Sequence, residues 1–362
     1  MNTLENKARI FSSFDIPGEL LGFEPLVRGH IHDTFVSSWK QGKGTVRYLH
    51  QKMNDYVFKD IPVLMRNIVT ITEHVRAKIH ERETGDETLT VIPLRSGESY
   101  LRDENGHFWR TFLFVDNTTA FDECVSAHVG FEAGAIVGRF LDYVSDIEPT
   151  SISDTIPFFH HTPKRYEQFG LALEEDVCER KQECREQIDF ALTHADFGAT
   201  IVKALEEGTI PTRISHNDTK LNNILFSEET NNALCLVDLD TCMAGSPLYD
   251  YGDLLRTACP MTDEDDADGM CVSVERLESL TRGFLFGTKG TLSEQELSLL
   301  PLAPAIITLT IGLRFLTDYL AGDKYFKIHQ PGHNLQRTKA QFRLVTQFLD
   351  LQDKISAIIE CR

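Results

Sequence analysis

No two cysteines in this chain are spaced C-x-x-C, no segment repeats, and no low-complexity linker divides it. The eight cysteines, at 124, 178, 184, 235, 242, 259, 271 and 361, follow no regular spacing. A disulfide scaffold of the small secreted type is therefore excluded, and reduced thiols in a cytoplasmic setting are expected. Long hydrophobic runs are missing too. The opening MNTLENKARIFSSFD carries no apolar region of signal-peptide type. The longest apolar stretch, 301–313, is too short to cross a bilayer and runs directly into Arg314, so it predicts a buried helix. Positive charge is scarce. Lys and Arg number 36 against 55 Asp and Glu, a formal charge of −19 that disfavours nucleic acid and anionic membranes as partners and favours a neutral or cationic small molecule.

What is present is an ordinary globular composition, 41% hydrophobic and 25% charged, over 362 residues, enough for two packed lobes. Residues 20–55 hold β-branched and aromatic runs with a Gly-containing turn at 41–44, which predicts a hairpin. Val63, Leu64, Ile68, Ile71, Val75 and Ile79 have helical spacing behind Pro62. Short strands are expected at 90–93 and 109–115. Beyond Asp116 the pattern turns helical, over 131–144, 165–207, 274–286, 293–321 and 334–360, with a strand-rich island at 212–241. Gly134 and Gly138, one turn apart, predict close helix packing. The fold class expected is α+β, with a small sheet-rich N-terminal lobe over 1–115 and a larger, mainly helical lobe over 116–362.

The chemistry is concentrated in ISHNDTKLNNILFSEETNNALCLVDLDTCMAGSPLYDYGD, residues 214–253. His216, Asp218 and Asn223 form H-x-D-x-x-x-x-N, and a strand ending in LVDLD brings Asp238 and Asp240. Phosphoryl transfer requires an acceptor to be positioned and phosphate charge to be neutralised. Asp218 suits the first task, orienting a hydroxyl and taking its proton. Asn223 and Asp238 suit the second, holding Mg2+ against the phosphates of ATP. Each residue alone is ordinary turn or strand-end chemistry; the ordered set points to a kinase. His216 reads as a structural support of the catalytic loop rather than a proton carrier.

These motifs resemble the aminoglycoside phosphotransferase and choline kinase superfamily, whose bilobal fold is protein-kinase-like. The segments GHIHDTF (29–35), LMRN (64–67), TKLNN (219–223) and GLRFLTDYLAGDKYF (312–326) are more closely similar to the N-acetylhexosamine 1-kinases of amino-sugar salvage. The resemblance implies ATP-dependent phosphorylation of the anomeric hydroxyl of N-acetylglucosamine or N-acetylgalactosamine. It also implies an acceptor pocket between the lobes lined by His30, Asp218, Lys220, Arg314 and Tyr325. Arg314 and Asp318 are spaced as an intrahelical ion pair, an alternative use of that arginine. A different small alcohol as acceptor, such as choline or an aminoglycoside, and a catalytically silent nucleotide-binding protein are the rival readings.

Two protein-kinase features are altered. No G-x-G-x-x-G is present, and Gly29 alone marks the turn that would cover the phosphates. The strand that should carry a phosphate-binding lysine reads VRYLHQKM, with Gln51 at the expected position and Lys52 on the opposite face. The hinge that would meet adenine is placed at Phe114 and Val115. Residues 264–275, EDDADGMCVSVE, approximate a calcium loop but read as an acidic surface loop.

Overall fold

A computed structural model describes residues 3–27 and 31–361. Helix α1 (Thr3–Phe11) packs under an antiparallel sheet built from β1 (Glu19–Pro25), β2 (Asp33–Gln41), β3 (Gly44–Lys52), β4 (Leu101–Arg102) and β5 (Phe108–Leu113), in the order β1-β2-β3-β5-β4. The predicted hairpin is β2–β3, closed at Gln41–Gly44 with Gly42 at φ +60°. Alternate strand residues Phe35, Trp39, Tyr48 and Trp109 point inward, and with Ile10, Phe11 and Phe14 of the N-terminal segment they form a small core of their own. Helix α2 (Ile61–Arg82) follows β3. Asp60 caps it by accepting from the Val63 N–H at 3.0 Å, and Pro62 stands in its first turn.

β6 (Thr118–Thr119) leads into α3 (Ala127–Tyr143), and the remainder is mainly helical: α4 (Thr162–Glu175), α5 (Arg185–Thr193), α6 (Ala195–Gly198), α7 (Thr200–Glu206), α8 (Pro247–Ala258), α9 (Val274–Thr288), α10 (Glu294–Leu299), α11 (Ala303–Leu320), α12 (His333–Asp350) and α13 (Gln352–Glu360). Two small sheets interrupt it, β7 (Arg213–Ser215) with β10 (Met243–Gly245), and β6 with β8 (Ile224–Ser227) and β9 (Ala233–Leu236). Because α11 is apolar on nearly every face, it must be enclosed; it lies against α4, α8 and α12. Gly134 and Gly138 let α3 approach α9 so closely that a Cβ on either would collide with the main chain of residues 280–288. All eight cysteines are unbridged. The mixed architecture is the one the sequence predicts, with differences: two helices are added, α8 and α1, whose charged residues mask an apolar stripe ending in Ile10 and Phe11, and the strand expected at 90–93 is only an isolated bridge from Val91 to Phe112.

Candidate active site

The loop after β7 is held before any ligand arrives. The buried Asp250 carboxylate, at the start of α8, accepts the main-chain N–H groups of His216 (2.8 Å) and Asn217 (2.6 Å). The Asn217 amide donates to the carbonyls of Ser215 and Thr241, and the Thr241 hydroxyl donates to the His216 carbonyl. Asn217 itself takes a left-handed conformation, φ +67°, which asparagine tolerates. Burial lowers the His216 pKa, so the ring is neutral, and its Nε2–H donates to the Val237 carbonyl at 3.0 Å. Every contact of His216 is a strut of the loop.

This frame presents Asp218. Its Oδ2 accepts from Lys220 Nζ at 2.9 Å and from Asn223 Nδ2 at 3.1 Å. Burial alone would raise the Asp218 pKa, but Lys220 above all, and then the Asn223 amide, hold it below the ordinary carboxylate value. The group stands ionised and oriented. Because the Asn223 amide nitrogen is spent on Asp218, its Oδ1 is the acceptor that side chain has left to offer.

Asp238 follows β9 at φ +64°, an uncommon conformation for a non-glycine residue, which turns its carboxylate out of the strand line into a cleft. Burial, then the charges of Asp240 and Asp218, push its pKa up to about 7. Such a carboxylate wants a cation. Among the described residues no group of three His, Cys, Asp or Glu side chains could hold a metal alone. A site of one aspartate and one amide oxygen, completed by phosphate oxygens, matches the way Mg2+ is held with a nucleotide. Asp238 and Asn223 therefore fit Mg2+.

The cleft encloses about 440 Å³ between the large sheet and the helical part, and Phe114, Val115, Asn223, Asp238 and Lys220 all line it. The Phe114 N–H already donates to the Arg47 carbonyl at 3.1 Å, leaving only its carbonyl of that residue for a base. Gln51 faces the cleft, whereas Lys52 sits on the other face of β3 beside Asp33 at 3.9 Å. A cation enters the cleft from elsewhere. Arg110 of β5 pairs directly across the ladder from Gln51. Its guanidinium donates to Gln51 Oε1 at 2.8 Å and, in fork geometry, to both carboxylate oxygens of Asp240 at 2.5 and 3.0 Å. His32 completes this network. Its Nδ1 accepts the Asn54 N–H, so Nε2 carries the proton and donates to Asp240 Oδ2 at 2.6 Å. Although burial opposes it, Arg110 and His32 hold the Asp240 carboxyl far below its ordinary pKa. Sequence reasoning missed Arg110 and His32; the register of β3 on β5 is the signal that would have exposed Arg110.

Gly29 and His30 lie outside the described residues. Arg314 and Tyr325 lie together, the guanidinium 5.7 Å from the ring centroid, with Phe159 and Phe326 at 5.8 and 5.4 Å. They line neither the nucleotide-sized cleft nor a second cavity described below. Arg314 is nevertheless close enough to Asp218 to feel its charge, while burial lowers its own pKa. The intrahelical pair with Asp318 does not form. Asp318 instead accepts the N–H groups of Lys324, Tyr325 and Phe326 and the Asn334 amide, fixing the loop that carries Tyr325. In the acidic loop, Glu264 pairs with Arg256, Asp265 with His333, and Asp266 accepts the Gly269 N–H, so these three carboxylates are used structurally.

Residues 93–275 match the sequence pattern described as the phosphotransferase enzyme family. Among solved structures, an aminoglycoside phosphotransferase from Alicyclobacillus acidocaldarius superposes with a TM-score of 0.65 at 12% identity, covering 98% of this chain and 96% of that one. A microcompartment-associated aminopropanol kinase gives 0.63 at 14% identity, over 97% and 98%. Choline kinase from Cryptosporidium parvum gives 0.59 at 14%, over 98% and 96%. At such identities these likenesses establish the fold.

Proposed function

The chain belongs to the phosphotransferase enzyme family and is a small-molecule phosphotransferase, and from that premise we propose that it transfers the γ-phosphoryl group of ATP to the anomeric hydroxyl of an N-acetylhexosamine. The observation that carries the reaction type is that Asn223 and Asp238 line one cleft, and that two residues of its wall, Lys220 and Asn223, donate to the Asp218 carboxylate. In this reading Asp218 orients the acceptor hydroxyl and takes its proton as the oxygen bonds to the γ-phosphorus. The bond from that phosphorus to the β–γ bridging oxygen breaks, and ADP leaves with the electron pair. When bound at Asp238 and Asn223, Mg2+ supplies charge neutralisation of the phosphate oxygens. A carboxylate held below its usual pKa is a weak base, so the mechanism leans on orientation and on an acidic hydroxyl. An anomeric hydroxyl, adjacent to the ring oxygen, is more acidic than an ordinary alcohol.

The choice of sugar rests on the similarity of residues 312–326 to the hexosamine kinases and on one structural argument. Phe159, Tyr325 and Phe326 already surround the Arg314 guanidinium, which itself lies close enough to Asp218 to feel its charge. A cage filled by the protein's own cation does not suit a quaternary ammonium acceptor. In a phosphorus NMR assay with Mg-ATP and a panel of N-acetylglucosamine, N-acetylgalactosamine, glucose, galactose, choline and kanamycin, the expected product is a sugar 1-phosphate from the N-acetylhexosamines. Asp218→Asn should lower turnover by about 10²–10⁴-fold while leaving ADP affinity within a few-fold. Transfer to choline or kanamycin instead would sink the sugar assignment. Comparable loss of ADP affinity in Asp218→Asn would move that residue from acceptor chemistry to nucleotide binding.

A further inference from the structure

A second cavity, about 240 Å³, opens on the other side of Lys220 and Asn222 from the nucleotide-sized cleft and shares both residues with it. Its wall therefore includes the lysine bonded to Asp218. The rest of the lining is mixed and holds no aromatic ring: Leu221, Pro260, Met270 and Leu344 supply apolar surface, and Asp122, Arg256, Thr257, Thr262, Glu264 and Gln341 the polar part. Arg256 is not available as a free cation: it donates to Asp253 at 2.8 Å and to Glu264 at 3.2 Å. Gln341 differs from its neighbours. It is 1% exposed, on α12, and its Oε1 has no hydrogen-bond partner among the described residues. A buried acceptor left unmade works against folding, and an apolar side chain of the same length would serve stability better at this place.

We propose that this cavity is an acceptor subsite and that Gln341 is its specificity-determining residue, accepting a hydrogen bond from an O–H or amide N–H of a small, neutral, polyhydroxylated acceptor. The proposal rests on the reading above that the chain phosphorylates a small alcohol. It adds where the far end of that alcohol is recognised. Three features favour a neutral polar ligand over the alternatives. Both cations of the lining are already paired, Lys220 with Asp218 and Arg256 with Asp253 and Glu264; the lining offers no ring for an ammonium group, and the unmade bond is an acceptor awaiting a donor. An N-acetylhexosamine carries donors of both kinds around its ring.

The test compares wild type with Gln341→Met, which keeps the length and shape of the side chain and removes its amide, and with Thr262→Trp, which fills the cavity from its rim. Steady-state kinetics use N-acetylglucosamine, or whichever acceptor of the NMR panel the wild-type enzyme phosphorylates fastest. The hexosamine assignment can therefore fail while this comparison still runs. For Gln341→Met, the acceptor KM should rise about tenfold, the loss of one hydrogen bond. The ATP KM should stay within twofold, and the melting midpoint should equal or exceed that of wild type. Thr262→Trp should raise the acceptor KM with ADP affinity unchanged. An acceptor KM within twofold of wild type in both variants overturns the proposal. So does a lowered melting midpoint with both KM values rising together in Gln341→Met, which would assign the residue to packing.

Discussion

Replacing Arg110 by methionine should loosen the two parts of the molecule from one another, and the size of the effect follows from what it leaves behind. Arg110 belongs to the large sheet and Asp240 to the segment after β9, so their fork of hydrogen bonds spans the cleft. Both are buried, with side-chain exposures of 2% and 3%. Methionine retains most of the apolar stem but strands the Asp240 carboxylate with only His32 as donor. Removing one partner of a buried ion pair costs about 3–5 kcal/mol, because the other charge stays desolvated. With a urea m-value of about 3 kcal/mol/M for a chain of this size, the unfolding midpoint should fall by roughly 1 to 1.7 M.

The molecule supplies two separate probes for that experiment. Both tryptophans, Trp39 and Trp109, are buried in the core under the large sheet, so fluorescence follows that part alone. Far-UV circular dichroism is dominated by the helices of the remainder. In Arg110→Met the fluorescence transition should precede the dichroism transition, whereas wild type should show them closer together. Adding Asp240→Asn to Arg110→Met removes the stranded charge and should recover most of the loss. A single variant that loses less than about 1 kcal/mol, or a double variant no more stable than the single one, would refute the account of a buried pair whose charges depend on each other.

Two further predictions concern stability. His50 is fully buried between the Ser37 and Thr111 hydroxyls, each 2.7 Å away, and burial pushes its pKa down to about 3. An unfolded histidine titrates near 6.5, so the unfolded state binds the proton first as pH falls. The stability contribution is intact above pH 6.5 and declines below it, by about 2 kcal/mol between pH 7 and pH 5. Chemical denaturation across that range should show the slope, and a His50→Gln variant with an unchanged slope would refute it. Gly134→Ala sets two effects against each other. Helix propensity favours alanine by about 1 kcal/mol, but its Cβ would collide with the Leu280 carbonyl and the Phe284 N–H of α9. Overpacking costs about 1–3 kcal/mol, so thermal melting should show a net loss, and a raised melting midpoint would contradict the close packing of α3 on α9.

The hairpin, α2 and the apolar α11 were legible because each is fixed by local pattern: a glycine turn, a proline start with helical spacing, an apolar run without a polar face. Asp218, Asn223 and Asp238 were legible for a related reason, since their order along one short segment is set by the loop and strand that carry them. Arg110 was not. The lysine expected at position 51 is absent, and sequence reasoning stopped at Gln51 because it searched one strand. In the folded sheet the residue directly opposite Gln51 is Arg110, 59 positions later, on the same face and hydrogen-bonded to it. A ladder places a side chain at one spot from either of two strands, so a cation lost from β3 can be supplied by β5 with the cleft lined as before. Gln341 escaped for a kindred reason. Nothing in HNLQRTKAQFRLVTQF separates it from the other glutamines of α12. What distinguishes it is a hydrogen bond left unmade in a cavity, and that property belongs to the packing of α12 beside Gly312 and Arg256 rather than to any local pattern. Both residues show the same limit: pattern reveals residues whose role is set along the chain, and only the fold reveals those whose role is set across it.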